Sequence, residues 1–285
     1  MKNLIFLVTI IVVGLFSSCS KEKLGDSIFD VSERTRNEFD LWLLSNYTYP
    51  YNIDFKYRME DIESDRTYTL APADIHKADT LAQIIKFVWL ETYDEVAGIN
   101  FTRMYVPKVI HLIGSPAYDS QGYIILGTAE GGLKVTLYDV NRLTIDPVIL
   151  NSRYFKTMHH EFAHILNQTK RYNPEFDKIS DALYVGSSWV NVTNAQAYTN
   201  GFVTPYARSA PGEDFAELYS VFVTRNATEW SSIITQAGTS GAAIINQKIE
   251  IVTNYMKSAY SIDIYELRDI VQRRSSDVKS LFKKP

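Results

Sequence analysis

His160-Glu161-Phe162-Ala163-His164 reads H-E-x-x-H, and it sits inside an apolar pattern of helical period that covers residues 153–167. Residues four apart share one face of a helix, so both imidazoles can reach one metal ion. Glu161 then lies beside that ion as a candidate general base for an activated water. Phe155, Met158, Phe162, Ile165 and Leu166 form a core stripe at 100° per residue, and His160 and His164 fall on the opposite side. A helix that buries one face and presents two histidines on the other is what a metal-lined cleft requires. His159 falls at the edge of the stripe and reads as packing or support rather than as a ligand.

Two histidines do not complete a catalytic zinc site, which takes three protein ligands and a water. The next comparable stretch, residues 211–225, contains Gly212-Glu213-Asp214-Phe215-Ala216-Glu217. Phe215, Leu218, Tyr219 and Phe222 make its apolar stripe, Pro211 suits a first helical turn, and Glu213 and Glu217 lie together opposite the stripe. Two carboxylates one turn apart can supply one ligand and one acceptor that orients a histidine N–H. Asp214 reads as an exposed acid at a helix start, favoured by the helix dipole.

Upstream, apolar spacing predicts helices over 29–44, broken at 46–50, and over 75–96. Residues 51–68 have room for a short strand between them. From 106 to 140 the period becomes strand-like: Val109-Ile110-His111-Leu112-Ile113, Gly122-Tyr123-Ile124-Ile125-Leu126 and Leu133-Lys134-Val135-Thr136-Leu137-Tyr138. Residues 127–132 carry three glycines without the lysine and strand-to-helix setting of a phosphate loop, and read as a turn. His76 and His111 are isolated and read as surface or strand-face residues. Two amphipathic helices, over 242–260 and 263–282, close the chain. The expected class is α+β: mostly helical, with a small mixed sheet preceding the H-E-x-x-H helix.

The chain has 285 residues and a net charge of −4, which gives no basic stripe for nucleic acid. Lys2 precedes an apolar run over 4–16, too short for a membrane span and of signal-peptide length. The run ends in Phe16-Ser17-Ser18-Cys19, which holds the chain's single cysteine and resembles the lipobox of bacterial lipoproteins. The expected organisation is a leader over 1–18, a lipidated Cys19 with a polar tether over 19–27, and one domain over 28–285.

H-E-F-A-H followed by E-D-F-A-E resembles the gluzincin pattern, and the 49-residue step from His164 to Glu213 is closest to its lethal-factor-like branch, where E-x-F-A is typical. Together with the lipobox, these motifs resemble the zinc-binding metallopeptidases anchored as lipoproteins in Gram-negative bacteria. Among these are the substrate-import-associated zinc metallohydrolase lipoproteins, encoded beside TonB-dependent outer-membrane importers. The motif-bearing similarity covers about residues 151–225.

The resemblance implies a zincin-like fold and one Zn2+ held by His160, His164 and Glu213. It also implies Glu161 as base and Glu217 as a brace for the first histidine. Tyr206, seven residues before Glu213, stands where that branch places a tyrosine that stabilises the oxyanion. The implied partners are a peptide or protein substrate, a membrane reached through the lipid anchor, and an outer-membrane importer. The implied location is the outer membrane, facing the periplasm or the cell surface. Two readings stay open beside it: a non-catalytic zinc-containing accessory lipoprotein of an import system, and a hydrolase of a non-peptide amide or ester.

Overall fold

Among the described residues, helices and short strands share the stretch up to Leu137, and every element after it is helical. A computed structural model describes residues 35–60, 62–120, 122–130 and 132–282. The leader, Cys19 and the tether expected over 1–27 lie outside these residues. Residues Glu38–Pro285 pack as one unit.

Helix α1 (Glu38–Leu43) does not end at Asn46. It passes through a π turn, Leu44–Thr48, into the short helix α2 (Tyr49–Tyr51). The Asn46 side chain donates back to the Trp42 carbonyl at 2.9 Å. Pro50 occupies one of the first two positions of α2, and the chain leaves the helix at Asn52, which has φ 57°. Burial of Tyr47 and Tyr51 outweighs the break that the local sequence suggests. Strand β1 (Asp54–Lys56) follows.

Helices α3 (Ile75–Ile85) and α4 (Glu91–Ala97) form one rod through the π turn Lys86–Leu90. Asp74 caps the start of the rod by accepting from the His76 and Lys77 amides. Gly98, at φ 83°, turns the chain into α5 (Ile99–Tyr105), a helix the periodicity did not single out.

The strands are β2 (Val109–Leu112), β3 (Ala117–Tyr118), β4 (Ile124–Ile125), β5 (Gly127–Glu130) and β6 (Lys134–Leu137). The main sheet has the order β1-β2-β6-β5, and β3 and β4 form a separate hairpin. The β1–β2 and β2–β6 pairs are parallel, whereas β5 runs antiparallel to β6, so the sheet is small and mixed, as expected. The turn expected over 127–132 is in its first part the edge strand β5. A Cβ on Gly127 would come within 2.6 Å of Thr157 Cγ2, so the glycine lets this strand press against the helix that follows. His111 is fully buried on β2, while His76 is exposed.

Helix α6 (Pro147–Leu150) leads through the π turn Asn151–Phe155 into α7 (Lys156–Thr169), which carries the H-E-x-x-H residues. Then come α8 (Glu175–Ile179), the 3-10 turns Asp181–Leu183 and Gly186–Asn191, α9 (Asn194–Thr199) and a third 3-10 turn, Tyr206–Arg208. The last helices are α10 (Pro211–Thr224), α11 (Ala227–Tyr260, interrupted at Gly238 with φ 65°) and α12 (Ile264–Asp277). Helix α11 starts well before the expected residue 242, because Asn226 and Glu229 close a capping box there.

The core lies where α7 meets the α3–α4 rod and α10. Phe155, Met158, Phe162, Ile165 and Leu166 are all buried, and the Phe162 ring sits 4.7 Å from Tyr93 and 5.4 Å from Trp89. Each such side chain contributes roughly 1.5–3 kcal/mol of transfer free energy. Among the described residues no helix is long and apolar enough to cross a membrane.

Candidate metal centre

Helix α7 presents His160 and His164 one turn apart on the side away from its core stripe, and the first turn of α10 presents Glu213 to them. His160 Nε2 lies 3.0 Å from Glu213 Oε2 and 3.2 Å from His164 Nε2, and His164 Nε2 lies 3.4 Å from the same carboxylate oxygen. Donors placed tetrahedrally at the ~2.0–2.2 Å zinc bond length are ~3.3–3.6 Å from one another. Two imidazole nitrogens and a carboxylate oxygen at these separations therefore fit one zinc ion with little movement. Among the described residues, these three form the one group of His, Cys, Asp or Glu side chains close enough to share a metal.

Burial alone would push the His160 imidazole down, but its contacts with Glu213 and Glu217 outweigh this and raise it to about 9. Burial acts upward on Glu213, and the two histidines overcome it, holding the carboxyl far below the usual range. The carboxylates around the two imidazoles thus favour positive charge at this point, whether a proton on His160 or a metal ion. Metal ligands must be deprotonated, so zinc and this proton compete for one place.

Glu217, one turn after Glu213 on α10, is buried and works from behind. Its Oε1 lies 3.0 Å from His160 Nδ1, a contact bent away from ideal hydrogen-bond geometry, and 2.7 Å from Lys156 Nζ. The Thr204 hydroxyl donates to Oε2 at 2.5 Å. Burial would raise this carboxyl, but the charge of Lys156 and the contact with His160 keep it well below the usual range. An ionised Glu217 favours the proton of neutral His160 on Nδ1, which leaves the Nε2 lone pair facing Glu213 and His164. The four-residue step from Lys156 to His160 was open to sequence reading. Thr204 carried no signal.

Glu161 is half-buried beside the two histidines. Burial pushes its carboxyl up, the neighbouring imidazoles oppose this, and the Ala129 amide of edge strand β5 faces it. The Tyr206 ring lies 5.9 Å from the His160 ring, and burial together with the Glu213 carboxylate pushes its hydroxyl well up, so it stays a proton donor. Tyr206 therefore stands at the same place as the three donors.

His159 points away from the centre. It is buried, its Nδ1 is 2.7 Å from the Tyr93 hydroxyl, and that hydroxyl is 2.8 Å from the Tyr219 hydroxyl. Packing is its role.

Asp214 departs from the expectation of an exposed acid. It is 1% exposed, with Lys248 Nζ at 2.6 Å, and it accepts from the Tyr184 hydroxyl at 2.9 Å. Lys248 also donates to the Gly201 carbonyl at 2.9 Å and lies 3.8 Å from the centre of the Phe202 ring. Burial pushes Asp214 up and Lys248 down, and their mutual attraction resists both shifts. Helix α10 is packed on all sides, so its dipole cannot hold an acid in water at this position. The pair instead fastens the segment between α8 and α10 beside Glu213.

A mixed sheet, a histidine-bearing helix and a facing glutamate define a metal-binding α+β protein. The chain belongs to the family described as "Putative zinc-binding metallo-peptidase", whose model matches residues 32–265. It is similar to a crystal structure at 2.10 Å resolution of a "putative zinc-binding metallo-peptidase" from Bacteroides caccae. The two are 51% identical with a TM-score of 0.77, over 90% of this chain and 98% of that one. Among curated proteins, none matches the chain.

Proposed function

We propose that the chain is a zinc-dependent peptidase of gluzincin type on a zincin-like fold. It takes one zinc ion on His160, His164 and Glu213. The observation that carries this reading is the 3.0–3.4 Å approach of the three donor atoms, with Glu161 next to His160 in the same helix. Zinc bound there supplies a Lewis acid and brings the pKa of water toward about 7.

The chain's own groups do the rest. Glu161 takes a proton from the attacking water and hands it to the leaving amine, a role suited to a carboxyl raised by burial. The Tyr206 hydroxyl donates to the carbonyl oxygen as negative charge gathers on it. Glu217, held by Lys156 and Thr204, keeps the His160 ring oriented. The lipobox-like Phe16-Ser17-Ser18-Cys19 supports a lipid anchor on Cys19, with the domain tethered at the outer membrane beside an importer.

Glu161→Gln tests the chemistry. The variant is expected to keep its zinc by elemental analysis and to lose at least ~100-fold in cleavage of a peptide library. Equal cleavage by wild type and variant would sink the role of Glu161. Full zinc occupancy with no cleavage of any peptide by the wild type would favour the accessory binding protein or the non-peptide hydrolase instead.

A further inference from the structure

We propose that Tyr123, Trp189 and Tyr206 form an aromatic shelf leading to the metal ligands. On this proposal the shelf selects peptide substrates with a large apolar or aromatic side chain within about three residues of the bond cleaved. The inference rests on the peptidase reading above and adds the substrate class to it.

The three rings come from three separate elements: the turn before β4, the 3-10 turn Gly186–Asn191 and the 3-10 turn Tyr206–Arg208. They meet in sequence. Tyr123 is 6.1 Å from Trp189, Trp189 is 5.0 Å from Tyr206, and Tyr206 is 5.9 Å from His160. Core rings such as Trp89 and Tyr93 are closed off, whereas Tyr123 is 45% exposed and Trp189 is half-buried. Rings that touch one another and still face water leave apolar area for a ligand to cover.

Distance sets the reach. An extended peptide advances ~3.3 Å per residue, so the two ring-to-ring steps from His160 to Trp189 span at most about three residues. The turns that carry Trp189 and Tyr206 are also tied together before any ligand arrives. The Val185 amide donates to the Arg208 carbonyl at 2.8 Å, and the Arg208 guanidinium donates to the Leu183 carbonyl at 2.9 and 3.1 Å. Preorganised rings spare a substrate the ordering cost. Aromatic faces also attract cations. At the centre, however, the carboxylates of Glu161 and Glu213 balance a dication, so a cationic side chain finds no further hold there. What the shelf offers is apolar contact.

The test is digestion of a mixed peptide library by zinc-loaded wild type, Trp189→Ala and Tyr123→Ala, with cut sites read by mass spectrometry. It is paired with equilibrium binding of a phenylalanine-bearing reporter and its alanine twin to zinc-loaded Glu161→Gln. Large apolar or aromatic residues are expected within three positions of the cut. Trp189→Ala should lower kcat/KM for the phenylalanine reporter about tenfold or more, and for the alanine twin less than about twofold. Tyr123→Ala, altered at an exposed turn, should show a smaller loss in the same direction.

Cuts without side-chain preference, enrichment of Lys or Arg, or equal losses on both reporters would overturn the shelf. No cleavage by wild type with tighter binding of the phenylalanine reporter would remove the peptidase reading and leave the shelf as a peptide-binding surface. Neither cleavage nor preferential binding would remove both.

Discussion

His111 lies on the central strand β2, fully buried, and among the described residues neither of its ring nitrogens has a hydrogen-bond partner. An unpaired buried polar group costs roughly 1–3 kcal/mol. Burial, helped by the charge of Lys134, pushes this imidazole below its ordinary value, so the folded protein resists protonating it. The unfolded chain takes up that proton as pH falls through about 6.5, and the folded chain does not, so stability drops with pH below that point and is intact above it. His111→Leu is expected to raise stability by about 1 kcal/mol at pH 7.5 and by more at pH 5, measured by urea denaturation at both. A gain that is the same at both would contradict this account. Residue by residue, helix spacing made it readable that His160 and His164 share one face and that Glu213 and Glu217 share another, whereas Tyr206, in a 3-10 turn, entered only through the family resemblance. The state of Asp214 was not readable, because its partners Lys248 and Tyr184 are 34 and 30 residues away in sequence and belong to other elements.

At the scale of elements, Asp214–Lys248 joins α10 to α11 and holds the segment that carries Trp189 and Tyr206. Removing one member of a buried ion pair leaves the other uncompensated, typically at a cost of 3–5 kcal/mol. Lys248→Met should therefore destabilise by about that much, and adding Asp214→Asn should recover part of the loss rather than deepen it. Denaturation of the two single variants and the double variant checks this, and simple additivity would refute the coupling. Helix stripes were legible here because burial has one period in a helix. The edge strand β5 was not: Gly127-Thr128-Ala129-Glu130 has little intrinsic strand preference, and only pairing with β6 and contact with Thr157 make it one. The π turns that join α1 to α2 and α3 to α4 were hidden for the same reason, since tertiary packing selects them.

For the whole molecule, an ion that binds the folded state alone adds RT ln(1 + [L]/Kd), about 2.7 kcal/mol at one hundred times Kd. In a domain of this size that amounts to ~5–10 °C in Tm. Zinc should raise Tm by about that much, a chelator should reverse it, and His164→Ala should blunt it, all read by calorimetry. A rise of equal size in the variant would mean that zinc binds elsewhere. The class of fold was legible at this scale from the change of period between 106–140 and 153–167. The sheet order was not, since β1 reaches β2 only through the intervening helices and β6 reaches β2 only after the β3–β4 hairpin and β5, connections that the strands themselves do not specify.

The helices that bring His160, His164 and Glu213 together are closed by their own apolar stripes and by the Lys156–Glu217 and Asp214–Lys248 pairs, none of which involves a metal. Folding can thus run to completion first, with the ligands waiting in position. On the lipoprotein reading, the polypeptide is exported empty, acquires its shape on the far side, and competes for zinc only there. The amount of working enzyme is then governed by the supply of zinc at the destination rather than by conditions where the chain is made.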